Sequence, residues 1–310
     1  FNTPNFIFRF SLGETDYQLG ATDYERFAAE YAFFGRSVWQ QTLNLTDEEK
    51  TELIRLLQEN YRPENRVYRY NFFYDNCATR PRDKIEESIA GKVIYPAEPQ
   101  DGSLTFRDIV HQYCKGHPWA RFGIDLCIGS EADQPITQRQ MMFAPFYLMD
   151  AFDGAQIKGD SIQRPLITAN ELIVDATPEP DESDWMPTPL QCSLLLFILT
   201  AAATIYGIRR RTGLWGIDLF LFGIAGIVGC VLAFLALFSQ HPAVSSNFLL
   251  LVFHPGQLLF LPYIIYCVRK GKKCWYLTLN LIILTLFIVL FPVIPQRFDF
   301  AVVPLALVLL

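Results

Sequence analysis

Residues 70–82 read YNFFYDNCATRPR, and Cys77 in this stretch is the side chain best suited to covalent chemistry. A thiol attacks as its thiolate, and the unpaired N–H groups and macrodipole of a helix N-terminus favour that charge. The local pattern predicts such a position. RVYRYNFFY (66–74) reads as an aromatic-rich strand. Thr79 then reads as an N-cap, with Pro81 in the first turn and a helix running to Ala90 before Gly91. Arg80 and Arg82 add positive charge if they point inward, and Arg80 is either a contact for a substrate phosphate or surface charge. Tyr74 and Asn76 either orient the site or finish the strand. Backbone N–H groups at the helix start would stabilise a tetrahedral oxyanion. Two other readings of Cys77 stay open, half of a disulfide and a small buried residue.

Seven cysteines bear on that choice. Cys192, Cys230, Cys267 and Cys274 fall in or beside long apolar stretches, and Cys77, Cys114 and Cys127 fall outside them. An odd number in an oxidising compartment leaves at least one thiol unpaired within the chain. Cys114 with Cys127 is one pairing and leaves Cys77 free; Cys77 with either of the others is also open. A thiol nucleophile usually works with a histidine, and none of the four histidines precedes Cys77. His111, with Arg107 and Lys115 four residues either side, reads as a solvated helix position, and His117 as a loop residue. His241 and Asn247 lie in a loop between apolar stretches that would face the soluble domain. His254, in HPG, marks a kink or cavity within one stretch.

The mean hydropathy of +0.19 averages two unlike halves. Residues 188–310 carry eight Lys/Arg and two acids, whereas residues 1–187 carry the remaining 18 basic and 30 acidic side chains. This break marks a soluble segment followed by a membrane segment. Four stretches are long and apolar enough to span a bilayer: Leu190–Ile208, Leu214–Phe238, Phe248–Val268 and Cys274–Phe291. A fifth begins near Phe300. RRR (209–211) and RKGKK (269–273) fall in loops on one side, which the positive-inside rule makes cytoplasmic, so residues 1–189 lie on the opposite face. An acidic, Pro-rich linker, TPEPDESDWMPTP (177–189), joins the two, with Trp185 as a candidate interfacial aromatic or the whole a passive spacer. Residues 22–40, 46–60 and 106–115 read as helices, the second opened by a Thr46/Glu49 capping box. Residues 1–176 are thus expected to form an α+β extracytoplasmic domain and residues 190–310 an all-α membrane domain of five helices. The chain opens FNTPNF without Met and closes on an apolar run, so we expect a fragment cut at both ends.

With those residues set out, the chain resembles the Lnb-like lipoprotein N-acyltransferase family of Bacteroidota. The stretches that carry the resemblance are FNTPNFIFRFSLGETDYQL, LNLTDEEKTEL, YRPENRVYRYNFFYDNCATRPRDKIE, and FGIDLCIGSEADQPIT with MMFAPFYLMDAF. The resemblance implies a permuted papain-like periplasmic domain and five membrane helices in the bacterial inner membrane. It implies that Cys77 is the nucleophile and that its histidine lies upstream of Phe1. The implied reaction takes an acyl chain from a glycerophospholipid as a Cys77 thioester and passes it to the N-terminal amine of a diacylglyceryl-lipoprotein. Two competitors remain: a membrane-tethered cysteine peptidase or amidase acting on cell-wall peptides, and a non-enzymatic scaffold with Cys77 in a disulfide. No metal-ligand spacing, phosphate loop or basic nucleic-acid patch is visible, so no cofactor, metal or nucleic acid is expected.

Overall fold

A computed structural model describes residues 5–97, 104–159, 163–176 and 186–310. Trp185 and the linker up to that residue lie outside the described residues. The chain forms two compact units, Phe1–Ile109 with Pro135–Glu182 and Val110–Gln134 with Ser183–Leu310. The first is mixed α/β and the second helical.

Along the first unit run α1 (Phe6–Leu12), β1 (Asp16–Gln18), α2 (Tyr24–Phe33), β2 (Val38–Leu43), α3 (Asp47–Tyr61), β3 (Val67–Arg69), α4 (Thr79–Ser88) and β4 (Lys92–Ile94). Helix α5 (Phe106–Tyr113) crosses into the second unit, where α6 (Pro118–Cys127) follows. The chain then returns through α7 (Gln138–Met141), α8 (Pro145–Asp153), β5 (Gln156–Lys158), β6 (Gln163–Pro165) and β7 (Ile167–Val174). Among the described residues the strands pair antiparallel in three small sheets: β1 with β3, β2 with β7, and β4–β5–β6.

Two elements of the first unit differ from the sequence expectation. The helix predicted over 22–40 stops at Phe33, because Gly35 takes the left-handed conformation (φ 60°) and returns its N–H to Ala32 O. Val38 and Trp39 then join a strand, stabilised by pairing with β7 more than 130 residues away in the chain. The strand predicted over 66–74 is short. After Arg69 the backbone turns, closed by reciprocal hydrogen bonds between Asn71 and Asp75 (2.9 and 3.0 Å). Phe73 in that turn stacks on Phe106 (4.2 Å between centroids) and meets Phe143 edge-on (5.2 Å), three buried rings under the loop that carries Cys77. A second core gathers Leu45, Ile89, Phe152, Ile157 and Leu166 beneath the sheet of β4, β5 and β6.

In the second unit, α9 (Pro189–Arg210) and α10 (Trp215–Phe238) are long and apolar enough to cross a bilayer. The third predicted span, 248–268, is not one straight helix. It is broken into Phe248–Leu259, which contains α11 (Pro255–Leu259), and α12 (Leu261–Lys270), bent by 72°. Pro255 and Pro262 supply no N–H to a continuing helix, so each begins a new one. The returning backbone packs against α10 at two glycines. A Cβ on Gly229 would lie 2.4 Å from His254 N, and one on Gly226 2.5 Å from Leu258 N. α13 (Trp275–Leu290) and α14 (Val302–Val308) follow, shorter than the predicted fourth and fifth spans. By length and composition the described residues therefore hold two spanning helices, or three if the bent pair counts as one. Helix α6 packs Phe122 and Leu126 into the apolar core of these helices, which is why residues 110–134 belong with them.

Glu49 holds three parts of the first unit together. It is only 4% exposed; its carboxylate accepts from Thr46 N (2.8 Å), completing the predicted capping box, and from Ala90 N (3.3 Å), and it pairs with Arg164. Burial raises its pKa, but these three partners outweigh that and hold it below the ordinary carboxylate range. The native state therefore binds this proton less tightly than the unfolded chain. The stability it contributes is complete above the unfolded pKa of about 4.3 and is lost as pH falls through the depressed folded value. Glu49→Ala should destabilise the first unit by about 3–5 kcal/mol, the cost of stranding one partner of a buried pair. In urea titrations followed by far-UV circular dichroism, Glu49→Gln should also show a flatter loss of stability between neutral and acid pH than the wild type.

Candidate functional site

The site is organised by Asn76. Its side chain is 3% exposed and uses its whole hydrogen-bonding capacity. Nδ2 donates to Phe72 O (2.9 Å) and Phe143 O (2.8 Å), and Oδ1 accepts from Ala78 N (2.8 Å) and Thr79 N (3.0 Å). Asn76 therefore caps α4, and Thr79, predicted as the cap, instead accepts from Asn76 N through Oγ1 (2.8 Å). The physical reason is reach: from the turn before the helix, one amide answers both the helix amides and two carbonyls. Two of the helix-start N–H groups are thereby occupied. The N–H of Cys77 itself donates to no protein group among the described residues.

Cys77 is an exposed free thiol. It opens into a cleft of about 290 Å³ walled by Tyr17, Leu19, Leu57, Tyr68 and Pro81, with Arg80 and Lys84 also lining it. Arg80 makes two bonds to Asp75 (2.6 and 2.8 Å), and its guanidinium carbon lies 3.6 Å from the centre of the Tyr68 ring. Tyr17 stacks on Tyr70 (4.3 Å) and pairs with Tyr68 across β1 and β3. Burial raises the Tyr68 phenol, the Arg80 charge opposes this, and a charge on Cys77 adds to it. Burial and then Cys77 push Tyr70 up to about 12. These hydroxyls thus stay protonated beside the thiol at neutral pH.

Residues 1–111 match the family model described as Lnb N-terminal periplasmic domain, and residues 181–310 the one described as Lnb transmembrane domain. The chain belongs to the Lnb family. It is a membrane protein with a periplasmic segment, and its family suggests an enzyme of lipoprotein biogenesis. No curated protein and no solved structure matches.

In this member of the family the sequence-predicted residues fall in different places. Asn76, Cys77 and Arg80 come together at the start of α4. Tyr74 is exposed on the preceding turn, its ring edge-on to Phe106 (5.6 Å), and is not among the cleft residues. Asn247 is buried in the second unit, where Nδ2 donates to Leu126 O (2.7 Å) and Oδ1 accepts from Leu249 N and Gln296 Nε2. His241 is part-buried in the same unit, its N–H donating to Ser239 Oγ. All four histidines belong to the second unit. His111 is not a solvated helix position. Its Nε2 lies 2.8 and 3.0 Å from the two carboxylate oxygens of the buried Asp125, because α5 and α6 bring these faces together.

All seven cysteines are free. The Cys114–Cys127 pairing is therefore not formed, and neither is a pairing of either with Cys77. Sequence reasoning missed Tyr17, Tyr68 and Tyr70. The available signal was the spacing of Tyr68 and Tyr70 at i and i+2, which places both on one face of an extended segment.

Brief maleimide treatment of the native protein should modify Cys77 before Cys114 or Cys127, whose thiols are partly buried and raised in pKa by that burial. Peptide mapping after quenching checks the order. Asn76→Ala should cost about 2 kcal/mol or more in denaturant melts, since it uncaps α4 and strands the buried Phe143 carbonyl. Asn76→Asp should recover only the capping half.

Proposed function

We propose that this protein transfers an acyl chain from a glycerophospholipid to the N-terminal amine of a diacylglyceryl-lipoprotein through a thioester on Cys77. The observation that carries the reading is the exposed thiol at the start of α4, opening into a cleft with its own N–H uncommitted. Family membership supports the substrate class. The proposed architecture is permuted papain-like, a nucleophile at a helix start packed near antiparallel strands. Residues 1–189 would lie on the periplasmic face of the inner membrane.

In the first step the thiolate attacks the acyl carbonyl. The C–S bond forms, the ester C–O bond breaks, and the lysophospholipid leaves as its alcohol after taking up a proton. In the second, the lipoprotein amine attacks the thioester carbonyl. An amide forms, the C–S bond breaks, and the thiolate is restored as the amine loses its proton. The Cys77 N–H is the backbone donor available to the tetrahedral oxyanion, since Asn76 occupies those of Ala78 and Thr79. The first unit contains no histidine. Both substrates are lipid-anchored, so the membrane helices confine donor, acceptor and thiol to one surface and supply proximity.

Mass spectrometry of lipoprotein N-terminal peptides tests this in cells dependent on the protein. Wild type should yield the N-acylated form, and Cys77→Ser should lower its rate of appearance by about a thousandfold or more. Persistent N-acylation with Cys77→Ser would overturn the assignment.

A further inference from the structure

Beside the Cys77 cleft, formed by residues of the first unit alone, lies a larger groove of about 410 Å³, within the usual range for small-ligand sites. Its floor is one face of β2, where Trp39, Gln41 and Leu43 recur at every second residue, and its walls are Ile85 of α4 with Phe146 and Met149 of α8. Trp39 and Phe146 meet edge-on at 5.2 Å, yet remain 44% and 43% exposed. Large apolar rings left open in a concavity favour an apolar occupant.

The polar groups in the groove already have partners. Gln41 Nε2 donates to Met149 O (2.9 Å), and Ser37 Oγ accepts from Ala176 N (3.1 Å). Arg82 pairs with Asp83 and donates to Arg139 O (3.0 Å). The lining therefore offers a ligand hydrocarbon more than hydrogen bonds. Helix α4 joins this groove to the thiol. Arg80, Pro81 and Lys84 line the cleft, and Pro81, Arg82 and Ile85 line the groove. At about 100° per residue these are adjoining faces of one helix, and Pro81 is the ridge they share.

We infer that this groove holds the alkyl chain of the acyl group carried by Cys77, while the cleft, where Arg80 and Lys84 lie beside the thiol, holds the ester and its head group. The inference rests on acyl transfer at Cys77. Its occupant is a long hydrocarbon chain entering over Pro81, and filling the groove from Ile85 or Met149 should shorten the chain accepted.

Two measurements on the full chain in detergent micelles test it. The first needs no catalysis. The Cys77→Ser protein is photolysed with a phosphatidylethanolamine carrying a diazirine in mid-chain. Peptides covering 39–43 and 145–152 should be labelled above the level given by the same lipid with the diazirine on its head group. Labelling no higher than that control overturns the groove, whether or not Cys77 is a nucleophile. The second compares acylation of Cys77 by lipids with eight-carbon and sixteen-carbon chains. Ile85→Trp, and independently Met149→Trp, should lower the long-to-short ratio by about tenfold. A wild-type ratio in both variants overturns the inference. A wild type that forms no adduct refutes acyl transfer at Cys77 instead, and the photolysis result still decides whether the groove binds a chain.

Discussion

A single buried amide sets the geometry on which the site depends. Asn76 uses two donors and two acceptor positions to join three pieces of chain: the aromatic turn at Phe72, the segment at Phe143 and the first amides of α4. Three of these four bonds are buried and the one to Phe72 O is part-buried, so losing a buried one strands a polar group rather than returning it to water. The next residue in the chain is thereby held at the helix start with its thiol exposed and its N–H bonded to no protein acceptor among the described residues. The rings of Phe73, Phe106 and Phe143 fill the space below and resist collapse of the turn. Arg80, paired with Asp75 and stacked on Tyr68, is then held in the wall of the same cleft as the thiol.

Polar residues in the second unit follow a related logic. Asn247 ties the end of α6 to the start of the broken third span, and Gln296 adds bonds to Ile128 O and to Asn247 itself. In an apolar surrounding, these two amides are used to fix chain reversals. The bend between α11 and α12 has a steric counterpart in Gly226 and Gly229 of α10, where any side chain would meet backbone. A residue that reads as a candidate site from its place in a loop, such as Asn247, here has its amide committed to structure.

Features set by neighbours in sequence were legible without coordinates. The Thr46/Glu49 box, the first two apolar helices and the helix after Cys77 all rest on contacts within a few residues. What could not be read depended on distant partners. β2 exists because β7 pairs with it, overriding a helical pattern that ends at Gly35. The same distance hid the role of Asn76, whose partner at Phe143 lies 67 residues on, and the pairing of His111 with Asp125. The cleft tyrosines converge only when β1 meets β3. Cys77 itself was visible because its chemistry and its position before a helix are both local properties.

The most direct test of the central claim, a thioester at Cys77, is intact-mass analysis of the protein after exposure to phospholipid without a lipoprotein acceptor. The account predicts an added acyl mass that maps to Cys77, is removed by hydroxylamine and is absent from Cys77→Ser. An adduct on another residue, or a wild-type protein that stays unmodified while still acylating lipoprotein, would contradict it.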